Sequence, residues 1–429
     1  MKKIKMIGVN EVVFTEVMPN GLRVFLLPNN KVKNFYMTFS TKFGSKNTEF
    51  KIGSQRKTTK IPNGVAHFLE HLTFKVSEDI DATNLFVDLG SDVNAYTTFN
   101  HTCYEVFGFD KFKENLNTLL DFVQTPYYKA KDVEAEKGII CEEVKMYDDE
   151  VETELVFGLL KNMLHKDKCR NLVSGTTKDV NSTKLSDIEV SYKTFYHPSN
   201  MFVTITGNFN PEEALAIIEE NQNSKSFGPS QNVIIKKEKE VNSVLKDYEE
   251  IKRDIEIEKV NIGLKIPLSN FNSLKLENNE LKVYINLITN SMFGRSSRIK
   301  ERLVSGNIIT DGLYISRMYL DKHLLITIIA ETPYPKRYIS LMKEEINNIT
   351  IDEEDLIRKK RVAISNFIRC FDDIEEVNNL IQSDILEYDE INTNLYDIYN
   401  KLDIKTAKKV ATKLNNNASS ILVIKKKEK

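Results

Sequence analysis

The sequence of 429 residues lacks a surplus of charge of either sign, because 60 lysines and arginines stand against 62 aspartates and glutamates. The formal net charge of −2 gives no bulk electrostatic field that would attract an anionic polymer. The balance of charge therefore predicts that the chain has no nucleic-acid partner.

Cysteine is scarce, and long apolar runs are missing. Four cysteines, Cys103, Cys141, Cys169 and Cys370, lie far apart without a C-x-x-C pair, which favours free thiols in a reducing compartment over a disulfide framework. The run LLITII at 324–329 has the length of a strand and is too short to span a bilayer. The N-terminal segment alternates valines with polar residues and has no apolar stretch typical of a signal peptide. These absences predict a cytoplasmic protein with no membrane span.

The chain is longer than one hydrophobic core usually supports, which predicts two or more domains. A polar stretch around Gly228-Pro229 also contains a run of charges, which is typical of a linker. We therefore predict a first domain at 1–222, a linker at 223–245 and a second domain at 246–429.

Two segments of similar pattern indicate that the halves resemble each other. Segments 184–205 and 401–424 each contain a helical pattern, a polar break with asparagine and an apolar, β-branched strand. Along the whole chain, strands and helices are mixed but do not alternate strictly. This arrangement favours the α+β class over a doubly wound parallel sheet.

Hydrophobic periodicity predicts the elements on which the motifs lie. Two extended stretches within 12–28 flank Pro19-Asn20-Gly21, which indicates a hairpin. A helical pattern begins at Gly64. The other predicted strands lie at 35–45, 104–109, 201–207, 259–266 and 322–330, and the other predicted helices at 80–90, 110–124, 131–148, 152–165, 276–292, 336–348 and 352–371.

Two of the six histidines lie four residues apart in the motif HFLEH at 67–71. On a helix, His67 and His71 share one face at a separation that a single zinc ion can bridge. Glu70 lies beside His71 and can reach a water on the metal without being a ligand, so it is a candidate general base. The alternative is a pair of histidines on a helix face with a solvated glutamate, and the spacing favours the metal.

A catalytic zinc usually takes a third protein ligand. The predicted helix VEAEKGIICEEVKMY (133–147) carries Glu136 and Glu143 two turns apart on one face, whereas Glu142 is rotated by about 100° from Glu143. Neighbouring apolar residues can draw a carboxylate inward, but charged positions at the boundary of a helix face are common. Spacing alone therefore leaves the third ligand open.

Together these motifs resemble a known family. GVAHFLEHLTFK (64–75) resembles the inverted zinc motif H-x-x-E-H of the pitrilysin/insulinase-type (M16) metallopeptidases. Four further segments resemble the family in the same order: PNGLRVFLLP (19–28) its opening strand pair, SDVNAYTTFNHTCYEVFG (91–108) the segment after the zinc helix, EKGIICEEV (136–144) its distal ligand motif, and YHPSNMFVTITGNF (196–209) the segment that closes the first domain. The resemblance is detailed over the first 210 residues and holds only in outline beyond them.

The resemblance implies one zinc ion per chain, held by His67, His71 and Glu143. It implies that Glu70 is the general base and that Glu136 orients a metal ligand. The implied fold consists of two similar domains, each a mostly antiparallel sheet packed with helices, which together form half of a clamshell.

The resemblance also places Asn94 and Ala95 on an edge strand. In the family, the free backbone groups of this strand pair with an extended peptide substrate. The alternative for these two residues is an ordinary strand without a substrate contact.

The sequence departs from the family in its second half. Active members carry an arginine and, seven residues later, a tyrosine that stabilises the developing oxyanion. Here Tyr314 is available, but Asn307 stands seven residues before it, and Arg298 and Arg302 lie further upstream. Tyr314 is therefore either a transition-state contact or a packed strand tyrosine.

An intact zinc motif with an incomplete Arg–Tyr pair resembles the zinc-bearing subunit of paired bacterial peptidases. The resemblance implies a heterodimer with a homologous subunit that supplies the pair, and a homodimer is the alternative. It implies a zinc-dependent endopeptidase that cleaves unfolded peptides in a processing or maturation pathway. A non-catalytic scaffold or peptide-binding subunit is the alternative from another class, although all four zinc-motif positions are filled.

Overall fold

The structure, a computed structural model, describes residues 1–53, 55, 57–310, 312–415 and 417–427. The chain divides into two compact units that interleave along the sequence. The first unit contains Met1–Met146, Asn171–Lys237 and Ile368–Asn394, and the second contains Tyr147–Arg170, Glu238–Phe367 and Leu395–Lys429. The crossing between residues 237 and 238 falls inside the predicted linker, whereas the other four crossings have no counterpart in the sequence prediction.

Ten described strands belong to the first unit. They are β1 (Lys2–Lys5), β2 (Val12–Val17), β3 (Arg23–Pro28), β4 (Phe35–Thr41), β5 (Glu49–Ile52), β6 (Thr59–Lys60), β7 (Asp92–Thr97), β8 (Thr102–Gly108), β9 (Met201–Gly207) and β10 (Val233–Ile235). Seven of them form one sheet in the order β1-β2-β3-β9-β4-β8-β7, and β10-β5-β6 form a small second sheet. Within the large sheet only β3 and β9 pair in parallel.

The α-helices of the described chain follow the expected alternation of apolar and polar positions. They are α1 (Val65–Thr73), α2 (Ala82–Leu89), α3 (Phe112–Gln124), α4 (Ala130–Asp149), α5 (Val151–Met163), α6 (Thr177–Ser182), α7 (Leu185–Phe195), α8 (Pro211–Asn223), α9 (Asn278–Phe293), α10 (Arg298–Ser305), α11 (Pro335–Ile346), α12 (Glu353–Cys370), α13 (Ile374–Tyr388), α14 (Leu395–Lys401) and α15 (Ile404–Leu414). No described helix has both the length and the apolar composition needed to cross a membrane.

Strand β4 is buried on both faces and shows how the large sheet is covered. Apolar residues such as Phe39 point into the core of the first unit. The alternate residues are polar and meet α13: Thr38 Oγ1 donates to Asn378 Oδ1, and Ser40 Oγ donates to Gln382 Oε1, each at 2.8 Å. Helix α13 therefore docks on the sheet through hydrogen bonds as well as through apolar side chains.

The second unit contains β11 (Tyr248–Arg253), β12 (Lys259–Pro267), β13 (Leu313–Tyr319), β14 (His323–Glu331) and β15 (Ala418–Lys426). Their order is β11-β15-β12-β14-β13, with β11 and β15 parallel. Numbered within the unit, the strands lie in the order 1-5-2-4-3. The segment β3-β9-β4-β8-β7 of the first unit has the same order and the same parallel outer pair. The predicted α+β class and the predicted similarity of the two halves are thereby confirmed.

Candidate metal centre

Helix α1 presents the three polar residues of its motif on the side away from the core. The opposite side is fixed by buried apolar residues, Val65, Phe68, Leu69 and Leu72. The helix follows Gly64, whose φ of 81° lies in the left-handed region, and a Cβ at this position would lie 2.0 Å from the Ser174 carbonyl oxygen. Glycine is therefore required where the chain enters the helix.

The structure brings His67, His71 and Glu143 into one cluster. His67 Nε2 lies 3.5 Å from Glu143 Oε1, and His71 Nε2 lies 3.3 Å from Glu143 Oε2. One nitrogen from each ring and one carboxylate oxygen lie within 4.8 Å of one another. Helix α4 thus supplies an acidic partner to the two imidazoles of α1, although the two helices are far apart in sequence.

The structure also distinguishes the two adjacent glutamates of α4, which spacing alone could not. Glu142 points to solvent, where its carboxylate accepts a hydrogen bond from Lys145 Nζ at 2.6 Å, and its side chain is 74% exposed. The side chain of Glu143 is 22% exposed and faces the histidines. Only Glu143 of this pair is placed to share a cation with His67 and His71.

Glu136 lies just outside the cluster of His67, His71 and Glu143, and it contacts His71 on the side of the ring that faces away from Glu143. Its Oε1 lies 3.0 Å from His71 Nδ1, which leaves Nε2 facing Glu143. Burial lowers the pKa of His71, but the bonds to Glu136 and Glu143 outweigh it and raise the pKa to about 10. In the metal-free chain this imidazole is therefore protonated at neutral pH. The carboxylates of Glu136 and Glu143 stabilise its positive charge.

Glu70 is buried next to the cluster, with 7% of its surface exposed. Burial raises the pKa of its carboxyl group, whereas His67, the Thr97 hydroxyl and His71 lower it. Thr97 Oγ1 donates to Glu70 Oε2 at 2.5 Å. A carboxylate with a raised pKa in a partly dry site suits proton transfer near neutral pH.

The donor set fits a zinc ion. Two imidazole nitrogens and one carboxylate oxygen are ligands that catalytic zinc sites use, with a fourth position left to water. His67 Nδ1 is buried, and among the described residues it has no hydrogen-bond partner. His71 has the carboxylate contact on its other nitrogen that metal-binding histidines usually have.

Strand β7, which carries Asn94 and Ala95, lies at the edge of the seven-stranded sheet. Its pairing with β8 places Asn94 opposite Glu105, and Asn94 Nδ2 donates to Glu105 Oε1 at 3.2 Å. The strand also packs against α1. The position at the edge agrees with the predicted strand, and the predicted substrate contact stays a prediction.

Tyr314 lies on β13, the edge strand of the sheet in the second unit, with 59% of its surface exposed. Asn307 has a φ of 50° in the turn before this strand. Arg298 and Arg302 are engaged elsewhere within the unit, the first with Asp352 at 3.1 Å and the second with the glutamates of α11 at 3.4 Å. The exposure does not match a packed tyrosine, and its predicted role in the reaction stays a prediction.

Two contacts of the site were not predicted from the sequence. One is the bond between Thr97 and Glu70, and the other is an ion pair between Lys75, just after α1, and Asp132, in the first turn of α4, at 2.6 Å. Both join segments that only the fold brings together. To find the contact between Thr97 and Glu70 from the sequence, one would have had to predict which residue of β7 lies against Glu70 of α1.

Two family models and several known proteins match this sequence. The family described as Insulinase (Peptidase family M16) matches residues 43–177, and the one described as Peptidase M16 inactive domain matches residues 184–362. The uncharacterised zinc protease YmfH of Bacillus subtilis is 31% identical over 409 residues, which are 94% of this chain and 93% of that protein. The uncharacterised zinc protease ML0855 of Mycobacterium leprae is 30% identical over 166 residues, 38% of this chain and 37% of that protein.

Solved structures share the fold. A chain from Alicyclobacillus acidocaldarius classed as M16-like superposes with a TM-score of 0.91 at 24% identity, over 98% of this chain and 100% of that one. The periplasmic protease PqqL of Escherichia coli superposes with a TM-score of 0.75 at 17% identity, over 99% of this chain but only 48% of PqqL. Because the relative from Bacillus subtilis matches over nearly the whole length and the two family models together span most of the sequence, the chain belongs to the M16 family of insulinase-type peptidases.

Proposed function

We propose that the chain is the zinc-bearing subunit of an endopeptidase that cleaves unfolded peptides, in a peptide-processing or maturation pathway. The observation that carries the proposal is the convergence of His67, His71 and Glu143, with the buried carboxylate of Glu70 beside them. Relatives named zinc proteases support the same reaction class.

In this proposal the two imidazoles and Glu143 hold one zinc ion, and Glu136 keeps His71 in the tautomer that binds through Nε2. Zinc bound there supplies Lewis acidity, which acidifies an adjacent water and polarises the scissile carbonyl. Glu70 accepts a proton from the attacking water and later passes it to the nitrogen of the leaving amine. Burial of Glu70 favours this exchange because it brings the pKa of the carboxyl group up towards the working pH.

The substrate side of the site is proposed to be the free edge of β7. Asn94 and Ala95 would pair through their backbone with an extended peptide, which requires a substrate that is unfolded at the cleavage point. A folded protein offers few such segments. The preference for unfolded peptides follows from this mode of binding.

A second subunit is proposed to complete the site. The chain has no arginine seven residues before Tyr314, and it spans about half of PqqL, a single chain of twice the length. We propose a heterodimer in which a homologous subunit supplies the Arg–Tyr pair, and a homodimer is the alternative. Because this chain matches only about half of PqqL, the comparison supports the proposal that two such chains together form one complete active site.

The test is mass-spectrometric cleavage of an unstructured peptide mixture by zinc-loaded protein, with the zinc content measured on the same sample. The Glu70→Gln variant should bind zinc and lose cleavage, because the amide cannot accept the proton. The exposed Glu142→Gln variant is the matched control and should cleave like the wild type. A wild-type protein that holds no stoichiometric zinc would instead support the scaffold alternative.

If the wild type binds zinc but cleaves nothing alone, the same assay is repeated with proteins that co-purify with the chain. Cleavage that appears only with a partner would support the heterodimer. Cleavage by the isolated chain, with a dimer found by light scattering, would support the homodimer.

A further inference from the structure

The hydroxyl of Thr97 donates to the carboxylate proposed as the general base. Thr97 Oγ1 lies 2.5 Å from Glu70 Oε2 and 3.1 Å from Thr102 Oγ1. A hydroxyl has a single proton, and a bond to an ionised carboxylate is about twice as strong as one to a neutral oxygen. Thr102 also has an acceptor of its own, the Phe43 carbonyl oxygen at 2.9 Å. The proton of Thr97 is therefore directed to Glu70.

Thr97 is at the same time part of the edge strand. It is the last residue of β7 and pairs with Thr102 of β8. Because side chains alternate along a strand, Ala95 and Thr97 project from the same face. The strand that is proposed to hold the substrate thus also carries, two residues further on, the side chain that contacts the base.

The position of the hydroxyl is fixed by the backbone around it. A β-branched side chain has few χ1 rotamers, so its hydroxyl follows the backbone closely. The hairpin that follows β7 is closed by a bond from Thr98 N to the His101 carbonyl oxygen at 2.8 Å. It is also anchored from outside, because Ser45 N donates to the Thr98 carbonyl oxygen at 3.0 Å. Thr97 therefore cannot move without moving the hairpin.

We propose that Thr97 is a positioning residue that fixes the carboxylate of Glu70 relative to a peptide paired with β7. The inference rests on the proposed function and deepens it. With Oε2 of Glu70 held by Thr97, Oε1 takes the proton of the attacking water while the water oxygen bonds to the carbonyl carbon. The proton then moves from Oε1 to the amine nitrogen as the C–N bond breaks, and the bond from Thr97 is kept throughout.

The first test compares Thr97→Val, which keeps the shape and removes the hydroxyl, with Thr97→Ser, which keeps the hydroxyl. Loss of a hydrogen bond to a charged group predicts a fall in kcat of about 10- to 100-fold for Thr97→Val. KM and zinc content should be unchanged, since neither the free edge of β7 nor the ligands are altered. Thr97→Ser should recover most of the wild-type kcat.

The second test measures stability and does not require peptidase activity. Thr97→Val, Glu70→Ala and the double variant are unfolded with denaturant in the metal-free state, and the free energies of unfolding are combined in a double-mutant cycle. We expect the two changes to be non-additive because the residues share a bond. A wild type that cleaves nothing, either alone or together with the proteins that co-purify with it, while the cycle is non-additive, would refute the proposed function and leave the contact between Thr97 and Glu70 supported. An additive cycle, an unchanged kcat for Thr97→Val, or no recovery with Thr97→Ser would overturn the inference.

Discussion

At the scale of single residues, the role of Glu136 can be tested apart from catalysis. Its carboxylate accepts from His71 Nδ1 and so sets the orientation of the ring. Glu136→Gln removes the charge and should weaken zinc affinity by about 10- to 100-fold, the usual effect of losing a partner of a metal-binding histidine. Competition with a chromophoric zinc chelator measures the change.

The control for this prediction lies on the same helix. Glu142 is exposed and paired with Lys145, so Glu142→Gln should bind zinc like the wild type. Equal affinities for the Glu136 and Glu142 variants would show that the contact with His71 does not support metal binding.

Asp384 on α13 gives a prediction about stability and pH. Burial raises the pKa of its carboxyl group to about 7, against a smaller opposite effect of the Asn392 N–H, which donates to Oδ2 at 2.9 Å. A carboxyl group with a raised pKa supports the fold fully below its unfolded pKa of about 4, and this support is lost as the pH rises through 7. Asp384→Asn cannot ionise and can still accept from Asn392.

The variant should therefore have a higher melting temperature than the wild type at pH 8, and the difference should shrink towards pH 4. Each unit of pKa corresponds to about 1.4 kcal/mol, so the gain at pH 8 is large enough to measure by calorimetry. Both proteins are compared without metal, which keeps zinc release at low pH out of the comparison. A difference that stays constant between pH 4 and pH 8 would contradict the prediction.

Part of the candidate site was predictable because helical spacing is a local property. The i, i+4 pair of His67 and His71 follows from the sequence once a helix is assumed, and the structure has that helix. The choice between Glu142 and Glu143 depended on which side of α4 faces α1, and the contact of Thr97 depended on the end of β7. Both the choice between the two glutamates and the contact of Thr97 depend on tertiary packing. The spacing of residues within one helix or strand does not determine them.

At the scale of elements, the ion pair between Lys75 and Asp132 joins the end of α1 to the first turn of α4. Asp132 is 6% exposed and also accepts from Lys129 N at 2.7 Å. Asp132→Asn should cost about 1–3 kcal/mol of unfolding free energy, because a charge-assisted bond at a mostly buried group is weakened. Zinc affinity should also fall, since α4 carries Glu136 and Glu143.

A neighbouring pair provides the comparison. Glu78 and Lys131 form an ion pair in which both side chains are more than half exposed. Solvent screens exposed ion pairs and leaves them with little effect on stability, so Glu78→Gln should leave stability and zinc affinity nearly unchanged. Denaturant unfolding with and without zinc measures both variants, and equal losses in the two would argue against a special role of Asp132.

Helix α13 is one of several elements that the sequence analysis missed, together with helices such as α8 and α10. The strands and helices with strong apolar periodicity were predicted close to their observed bounds; the predicted helix at 131–148, for example, is α4. Helix α13 buries Asn378 and Gln382 against hydroxyl groups of the sheet. Asparagine and glutamine are normally expected at exposed positions. On the face of α13 that packs on the sheet, they therefore weaken the apolar periodicity by which a buried helix face is recognised in a sequence.

At the scale of the whole molecule, the interleaving of the units predicts how fragments behave. A fragment of residues 1–237 keeps the metal cluster but loses α13, whose Ile374, Val377, Ile381 and Ile385 are buried. Burying each such side chain contributes about 1.5–3 kcal/mol, which is a large part of the stability of a domain. The fragment should therefore fail to unfold cooperatively.

The fragment also keeps α5, which packs on β12 and β15 of the second unit and would lose both partners. A fragment of residues 1–146 and 171–237 joined to 368–394 restores the full set of segments of the first unit. It should show a cooperative transition and bind zinc better than residues 1–237. A cooperative, zinc-binding 1–237 fragment would contradict this account.

The late position of α13 in the chain has a consequence for synthesis on the ribosome. Strands β4 and β9, which lie beneath this helix, emerge long before residues 368–394. Throughout that interval the nascent sheet is uncovered where α13 will dock. Because Thr38 and Ser40 present hydroxyl groups there, that part of the exposed sheet surface can bind water instead of attracting other apolar chains.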